Sequence, residues 1–407
     1  MLSEELYPFA DIELGDENPE LTLMLSKLAK KAITWIRSNV VEPIVSHREE
    51  LRSIFSIEQG IESEKYVAIL AIDSTWTKPP LELVLGIMAL IVTGYIVVVP
   101  RHPGFYGIRY ASLRKGVSER EERFSLSVEL KSKILEFTTA YDELVRHGFV
   151  DCVLIDGPLF PGFTYLEFYY PKGIADPLRY SKGCVGRELA HYVSSALVKL
   201  FDLAIELKKP IVGVVKRVSS RFLIPILKQQ PLRDLEKVIR AVWLSNDKIL
   251  MSYILKPGEF TIVGTVYDLI DSYAKMKNLE KLSKVIDRSC SGDLGEISRK
   301  LCEYMKETAI VYYMPKKDLV YPQAIRLDVF PRDRAREVVE YALSDTSQNS
   351  VPTPIDLVDR FVRLESSAIR RFHRLLQAYA TDSETAIAIG FTNPQKAYLY
   401  SEKNIGQ

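Results

Sequence analysis

Two aspartates stand at the ends of two strongly apolar runs in this 407-residue chain. Tyr66-Val-Ala-Ile-Leu-Ala-Ile72 leads into Asp73, and Val150 to Ile155 leads into Asp156. At the carboxyl ends of strands in an open sheet, side chains escape the packed faces and share a crevice. If the two strands are neighbours, their carboxylates repel unless one is protonated or a cation lies between them. Oxygen donors of this kind suit Mn²⁺ or Mg²⁺. Two such ions about 4 Å apart can activate a water and stabilise a leaving oxygen in phosphodiester cleavage. Taken singly, an aspartate after an apolar run commonly caps the next turn or helix. Two in series, with a charge-rich helix between them, point to a site. On that helix Glu129 and Glu136 are seven residues apart and share a face. Ile134, Leu135 and Phe137 set Glu136 at the packed side, which favours it as third ligand, with Glu129 as the alternative.

These acids need a sheet and a helix to bring them together. The run Leu81 to Val99 reads as two buried strands joined by a turn at Thr93-Gly94. Glu82 and that turn signal count against a membrane span. A further extended piece lies near Tyr106 to Leu113. Glu119 to His147 reads as an amphipathic helix closed by Gly148, and Gly186 to Leu207 as another. Ile211 to Val215 is a short strand that ends at Lys216-Arg217. Residues 226–310 look helical and poor in strands, hence an insertion. The tail offers strands at Ala309 to Met314 and Ala324 to Val329, a helix from about Ile355 to Tyr379 and a last strand at Thr385 to Phe391. Ser344 to Pro354 is the one linker candidate. The fold class expected is α/β, a mixed sheet flanked by helices. It divides into a helical N-terminal region (1–64), the first part of the core (65–225), a helical insertion (226–308) and a part completing the core (309–407).

Composition narrows the function. Fifty-four Lys and Arg oppose 53 Asp and Glu, a formal charge of +1 that argues against coating nucleic acid by bulk charge but allows a local basic patch. The four cysteines form no Cys-x-x-Cys pair, which excludes a zinc ribbon and argues against a disulfide-stapled secreted scaffold. The acidic N-terminus carries no signal-peptide pattern, so a cytoplasmic protein is expected.

Three segments, taken in order, carry a resemblance. Ala71-Ile-Asp-Ser-Thr75, Val153-Leu-Ile-Asp-Gly-Pro-Leu159 and Ile211-Val-Gly-Val-Val-Lys216, with a helix before the second, resemble the NurA nuclease family. The resemblance implies a ribonuclease H-like fold and a manganese-dependent 5′ to 3′ DNA exonuclease with single-strand endonuclease activity. It further implies a homodimer docked on a HerA-type hexameric helicase/translocase in archaeal DNA end resection. Laid on the family pattern, Asp73 and Asp156 are the strand-end acids, Glu136 the helical acid and Lys216 the lysine closing the third strand. A family tyrosine falls at Tyr180 or, as the second choice, Tyr192. The sequence departs from the family at one point. Pro352-Thr-Pro-Ile-Asp-Leu-Val358 fits the proline-rich stretch before a metal-site histidine, yet Asp359 stands in the histidine's place. An aspartate can ligate the same cation, so Asp73, Glu136, Asp156 and Asp359 are the expected metal set.

Phosphate contacts are expected from Arg217 and Arg221 beside Lys216, and from Arg370 and Arg371, with solvated surface charge as the alternative. His373, among Arg370, Arg371 and Arg374, reads as part of a solvated basic helix face. The aromatic run Phe160, Phe163, Tyr165, Phe168, Tyr169, Tyr170 suits base stacking, a dimer interface or local packing. Two rival functions remain at this stage. One is an ATP-binding phosphotransferase of the actin or sugar-kinase type, disfavoured by the scarcity of glycine around Asp73 and Asp156. The other is a catalytically degenerate scaffold subunit of the translocase.

Overall fold

Runs of β-branched and aliphatic residues with no polar alternation form strands buried on both faces. The computed structural model describes residues 19–62, 67–78, 80–102, 104–116, 121–160, 184–231, 234–293, 295–316 and 323–390. Among the described residues ten strands form one mixed sheet: β1 (Ile57–Gln59), β2 (Ile69–Trp76), β3 (Leu81–Leu83), β4 (Gly86–Val98), β5 (Phe105–Gly116), β6 (Cys152–Asp156), β7 (Ile211–Val215), β8 (Glu259–Thr265), β9 (Ala309–Tyr313) and β10 (Ile325–Phe330). Their order is β1-β8-β9-β10-β7-β6-β2-β4-β3, with β5 also paired to β4. The centre is parallel, β2 beside β6 and β6 beside β7, and the neighbours on either side run antiparallel.

Strand alternation sorts the side chains into two layers. Ile69, Ala71, Cys152, Leu154, Val212 and Val214 pack on the helices Ala335–Ser344 and Thr353–Val362. Leu70, Ile72, Val153 and Ile155 pack on the other face against the helices Glu121–Arg146 and Cys184–Leu207. A separate core joins the N-terminal residues Val40, Ile44 and Leu51 to the helices Leu235–Leu244, Asp247–Ile254 and Val266–Met276. Among the described residues no helix is long and apolar enough to cross a membrane.

Several elements differ from expectation. Thr93-Gly94 is no turn. It lies inside the 13-residue β4, at a register shift against β5, and the chain reverses instead at Val84-Leu85. Gly94 serves a close approach: a Cβ there would meet Val362 Cγ1 at 2.8 Å and the Gly107 carbonyl at 3.1 Å. The segment 226–310 is not purely helical, since β8 joins the sheet between β1 and β9. The long C-terminal helix is two, Thr353–Val362 and Ser366–Tyr379, and Ser383–Ala388 is a short helix where a strand was expected. Asp382 caps that last helix by accepting from the Thr385 amide, which explains the change. Thr346, Ser347, Ser350 and Val351 are buried, so Ser344 to Pro354 is a packed connection rather than a linker. Cys290 and Cys302 form a disulfide between two helices.

Candidate metal centre

The register of β2 and β6 places the strand-end acids side by side. Ile72 pairs with Ile155, so Asp73 and Asp156 stand one step further on in adjacent parallel strands. Both continue the layer of Ala71 and Leu154, the face covered by the helix Thr353–Val362, and that helix carries Asp359. One carboxylate oxygen from each of Asp73, Asp156 and Asp359 lies within 4.8 Å of the others. The helix is fixed there by Ile355, Val358 and Val362, all in the same apolar layer. Asp73 is buried, while Asp156 and Asp359 are half-buried, so the trio opens towards solvent on one side. Asp73 is not the last residue of its strand: β2 runs on through Ser74 and Thr75 to Trp76.

The electrostatics are those of a site that needs positive charge. Burial, and next the nearby Asp156 and Glu136, hold the Asp73 carboxyl well above the usual carboxylate range, against the pull of Lys216. Lys216 follows β7 and places its Nζ 3.0 Å from Asp156 Oδ2 and 3.4 Å from Asp359 Oδ1. Burial disfavours its charge, but Asp156, Asp73 and Asp359 outweigh that and raise its pKa. The other oxygen of Asp156, Oδ1, is buried with no hydrogen-bond partner among the described residues. Such an orphaned atom is costly unless something fills the gap. Three carboxylates around one unsatisfied oxygen fit a hard divalent cation, with Asp73, Asp156 and Asp359 as the residues that would hold it.

Glu136 approaches from the opposite side of the sheet. Its Oε1 accepts a hydrogen bond from Ser74 Oγ and its Oε2 from Lys133 Nζ, so it stands next to the trio rather than within it. Burial raises its pKa against the opposing effect of Lys133 and Ser74. Glu129, the alternative, is exposed. Lys133 escaped the sequence reading; its spacing of three before Glu136 is the one signal that pointed to it.

The remaining expected residues scatter. Arg217 is exposed beside Lys216. Arg221 instead binds the Trp243 carbonyl at 2.9 Å and the Ser219 carbonyl at 3.1 Å, and its guanidinium lies over the Trp243 ring. Arg370 and Arg371 belong to the helix Ser366–Tyr379, which packs on Leu81, Leu83 and Met88 through Ile369, Phe372 and Leu376. His373 on that helix is buried, its ring bonded to the Ile389 carbonyl, and is not part of a solvated face. Tyr180 and most of the aromatic run after Asp156 lie outside the described residues. Phe160 does not, and it packs on Phe201. Tyr192 is half exposed on the helix Cys184–Leu207.

The domain and the fold have counterparts in known proteins. The NurA domain family matches residues 91–364, more than half of the chain. The fold is similar to the crystal structure of the NurA nuclease from Sulfolobus solfataricus, with a TM-score of 0.53 at 10% identity over 89% of this chain and 97% of that one. A crystal structure of NurA bound to dAMP and manganese aligns with a TM-score of 0.49 at 11% identity, over 91% and 99% of the two chains. No curated protein is significantly similar in sequence. By its domain match and the architecture it shares with the Sulfolobus protein, the chain belongs to the NurA family.

Proposed function

We propose that this protein is a metal-dependent DNA nuclease that hydrolyses phosphodiester bonds at the Asp73–Asp156–Asp359 centre. The observation that carries the reading is the convergence of these three carboxylates, with Lys216 between two of them, in a chain of the NurA family. A divalent cation bound there, Mn²⁺ or Mg²⁺, would lower the pKa of a water and neutralise charge developing on the phosphoryl oxygens. Asp73 and Asp156 orient the site from adjacent strands. Lys216 offers an ammonium to a non-bridging phosphate oxygen, and exposed Arg217 extends the positive surface along the backbone. The finer reading is a 5′ to 3′ exonuclease with single-strand endonuclease activity. It acts as a homodimer with a HerA-type hexameric ATPase in DNA end resection, with Tyr180 at the site. Support for an assembly comes from the helix Pro19–Ile36, where Leu23, Met24, Leu28 and Ile33 are each more than half exposed.

The ATP-binding alternative loses ground because Ser74 and Thr75 continue β2 and so offer no phosphate-cradling turn. The degenerate-scaffold alternative is weakened by Asp359, whose carboxylate stands with the other two where the family has histidine. The test uses end-labelled single- and double-stranded DNA with Mn²⁺, comparing wild type, Asp73→Asn and Asp156→Asn, each with and without the ATPase. Cleavage by wild type alone supports the proposal. No product from wild type under either condition would leave the scaffold reading standing.

A further inference from the structure

Lys133 is an ammonium beside this centre that neither the sequence pattern nor the proposed hydrolysis uses. Its side chain is only 18% exposed. Nζ donates to Glu136 Oε2 and, at 2.6 Å, to the backbone carbonyl of Asp156. It therefore ties the helix Glu121–Arg146 to the end of β6. Room for it is built into the chain. Gly157 has a φ of +89°, and a Cβ at that position would lie 3.1 Å from Lys133 Nζ. The Asp156-Gly157 step thus has two separate physical requirements, a left-handed backbone and space for an ammonium.

The oxygens around the centre are unequally occupied. Both oxygens of Glu136 are taken by groups of the chain itself, Lys133 and Ser74. Ser74 Oγ is in turn held by Ser132 Oγ. Asp156 Oδ1, by contrast, is buried and unpartnered. A two-ion centre holds its ions about 4 Å apart, so carboxylate oxygens must be open to a cation on both sides. Among the described residues the unpartnered buried oxygen of the centre, Asp156 Oδ1, lies on the aspartate side, where Asp156 Oδ2 and Asp359 also pair with Lys216 and Arg363.

We propose that the Lys133 ammonium occupies the place a second cation would take beside Glu136, so that this centre binds one divalent ion. Lys133 is a positioning residue: it acts through Glu136 and the Asp156 strand end, not on substrate. The inference rests on the metal-centre reading above, but its test counts ions rather than products. Full-length protein is titrated with Mn²⁺ alone, and bound ions are counted by calorimetry and by the paramagnetic signal of free Mn²⁺. Binding is assigned to the centre by its loss in Asp73→Asn/Asp156→Asn. Wild type is expected to bind one ion there. Lys133→Met, which frees Glu136 Oε2, is expected to bind two, and Lys133→Met/Glu136→Gln to return to one. Two ions in the wild type overturn the inference and leave the metal centre intact, and this count does not depend on any variant folding. One ion in a folded Lys133→Met with unchanged affinity also overturns it. No ion in the wild type removes the metal centre itself, and the inference with it.

Discussion

Lys216 Nζ and Asp156 Oδ2 stand 3.0 Å apart at the ends of adjacent parallel strands. The lysine is 27% exposed, so its ammonium has both a fixed carboxylate partner and access to solvent. The Lys216 carbonyl accepts from Lys248 Nζ at 2.9 Å, which fixes the backbone beneath it. Replacing the ammonium by an apolar chain of similar length removes the charged donor that the proposed hydrolysis assigns to the phosphate. Lys216→Met is expected to slow cleavage by about 10²-fold, as for the loss of one electrostatic donor in a preorganised site. Assays at saturating Mn²⁺ separate this from altered ion binding. A variant as fast as wild type would assign Lys216 to structure alone.

Asp73 gives the centre a pH signature in the metal-free protein. Its folded-state pKa is raised, first by burial and then by Asp156 and Glu136. A carboxyl raised on folding contributes stability in full below its unfolded pKa, about 4. That contribution is lost as pH rises through the folded value. With chelator present, Asp73→Asn, which cannot ionise, should therefore gain in Tm over wild type as pH increases from about 4. Mn²⁺ should stabilise the wild type more at high pH than at low pH, because binding needs the ionised form. A Tm difference between the two proteins that stays flat across pH counts against this.

The two central strands were legible because a parallel strand buried on both faces is written as an uninterrupted apolar run. The runs before Asp73 and Asp156 have no other use for so many β-branched side chains. The approach of Asp359 was legible only from the proline-rich pattern before its helix, since no local rule tells which strand a helix covers. Thr93-Gly94 misled for a physical reason. Glycine signals a turn when it relieves φ, but at Gly94 it admits a neighbouring helix instead. Lys133 was invisible for a different one. A lysine on a charge-rich helix looks solvated, and its burial depends on the end of β6 reaching it. β8 was missed because its short Glu259–Thr265 run sits among amphipathic helices that dominate the pattern.

Asp359 tests whether the departure from histidine matters. Its oxygens serve two cations of the chain, Lys216 at 3.4 Å and Arg363 at 3.4 Å, while also facing Asp73 and Asp156. Carboxylate and imidazole both bind Mn²⁺, the carboxylate as the harder donor. Asp359→Ala is expected to weaken Mn²⁺ binding about tenfold, a loss of about 1.4 kcal/mol. Asp359→His should stay within a few-fold of wild type. Calorimetric titration decides, and equal affinity in all three proteins would place Asp359 outside the coordination shell.

Gly94 links the sheet to the metal centre through packing. It pairs across β4 and β2 with Asp73 itself, and Val362 from the Asp359 helix rests against it. An added methyl would lie 2.8 Å from Val362 Cγ1, closer than carbon atoms approach without movement, and 3.1 Å from the Gly107 carbonyl, which β5 holds in the ladder. The strand cannot yield without breaking its pairing with β2, so Val362, and with it the helix, is the part expected to give. Overpacking of this kind costs about 1–3 kcal/mol. Val362 and Asp359 are three residues apart on one helix, so a shift that relieves Val362 also moves the carboxylate. Gly94→Ala is therefore expected to lower Tm and, in the fraction still folded, to weaken Mn²⁺ binding. The compensating variant Gly94→Ala/Val362→Ala removes the colliding methyl and should recover ion affinity even where stability stays low. Recovery of Tm without recovery of affinity would show that the helix position does not set the site.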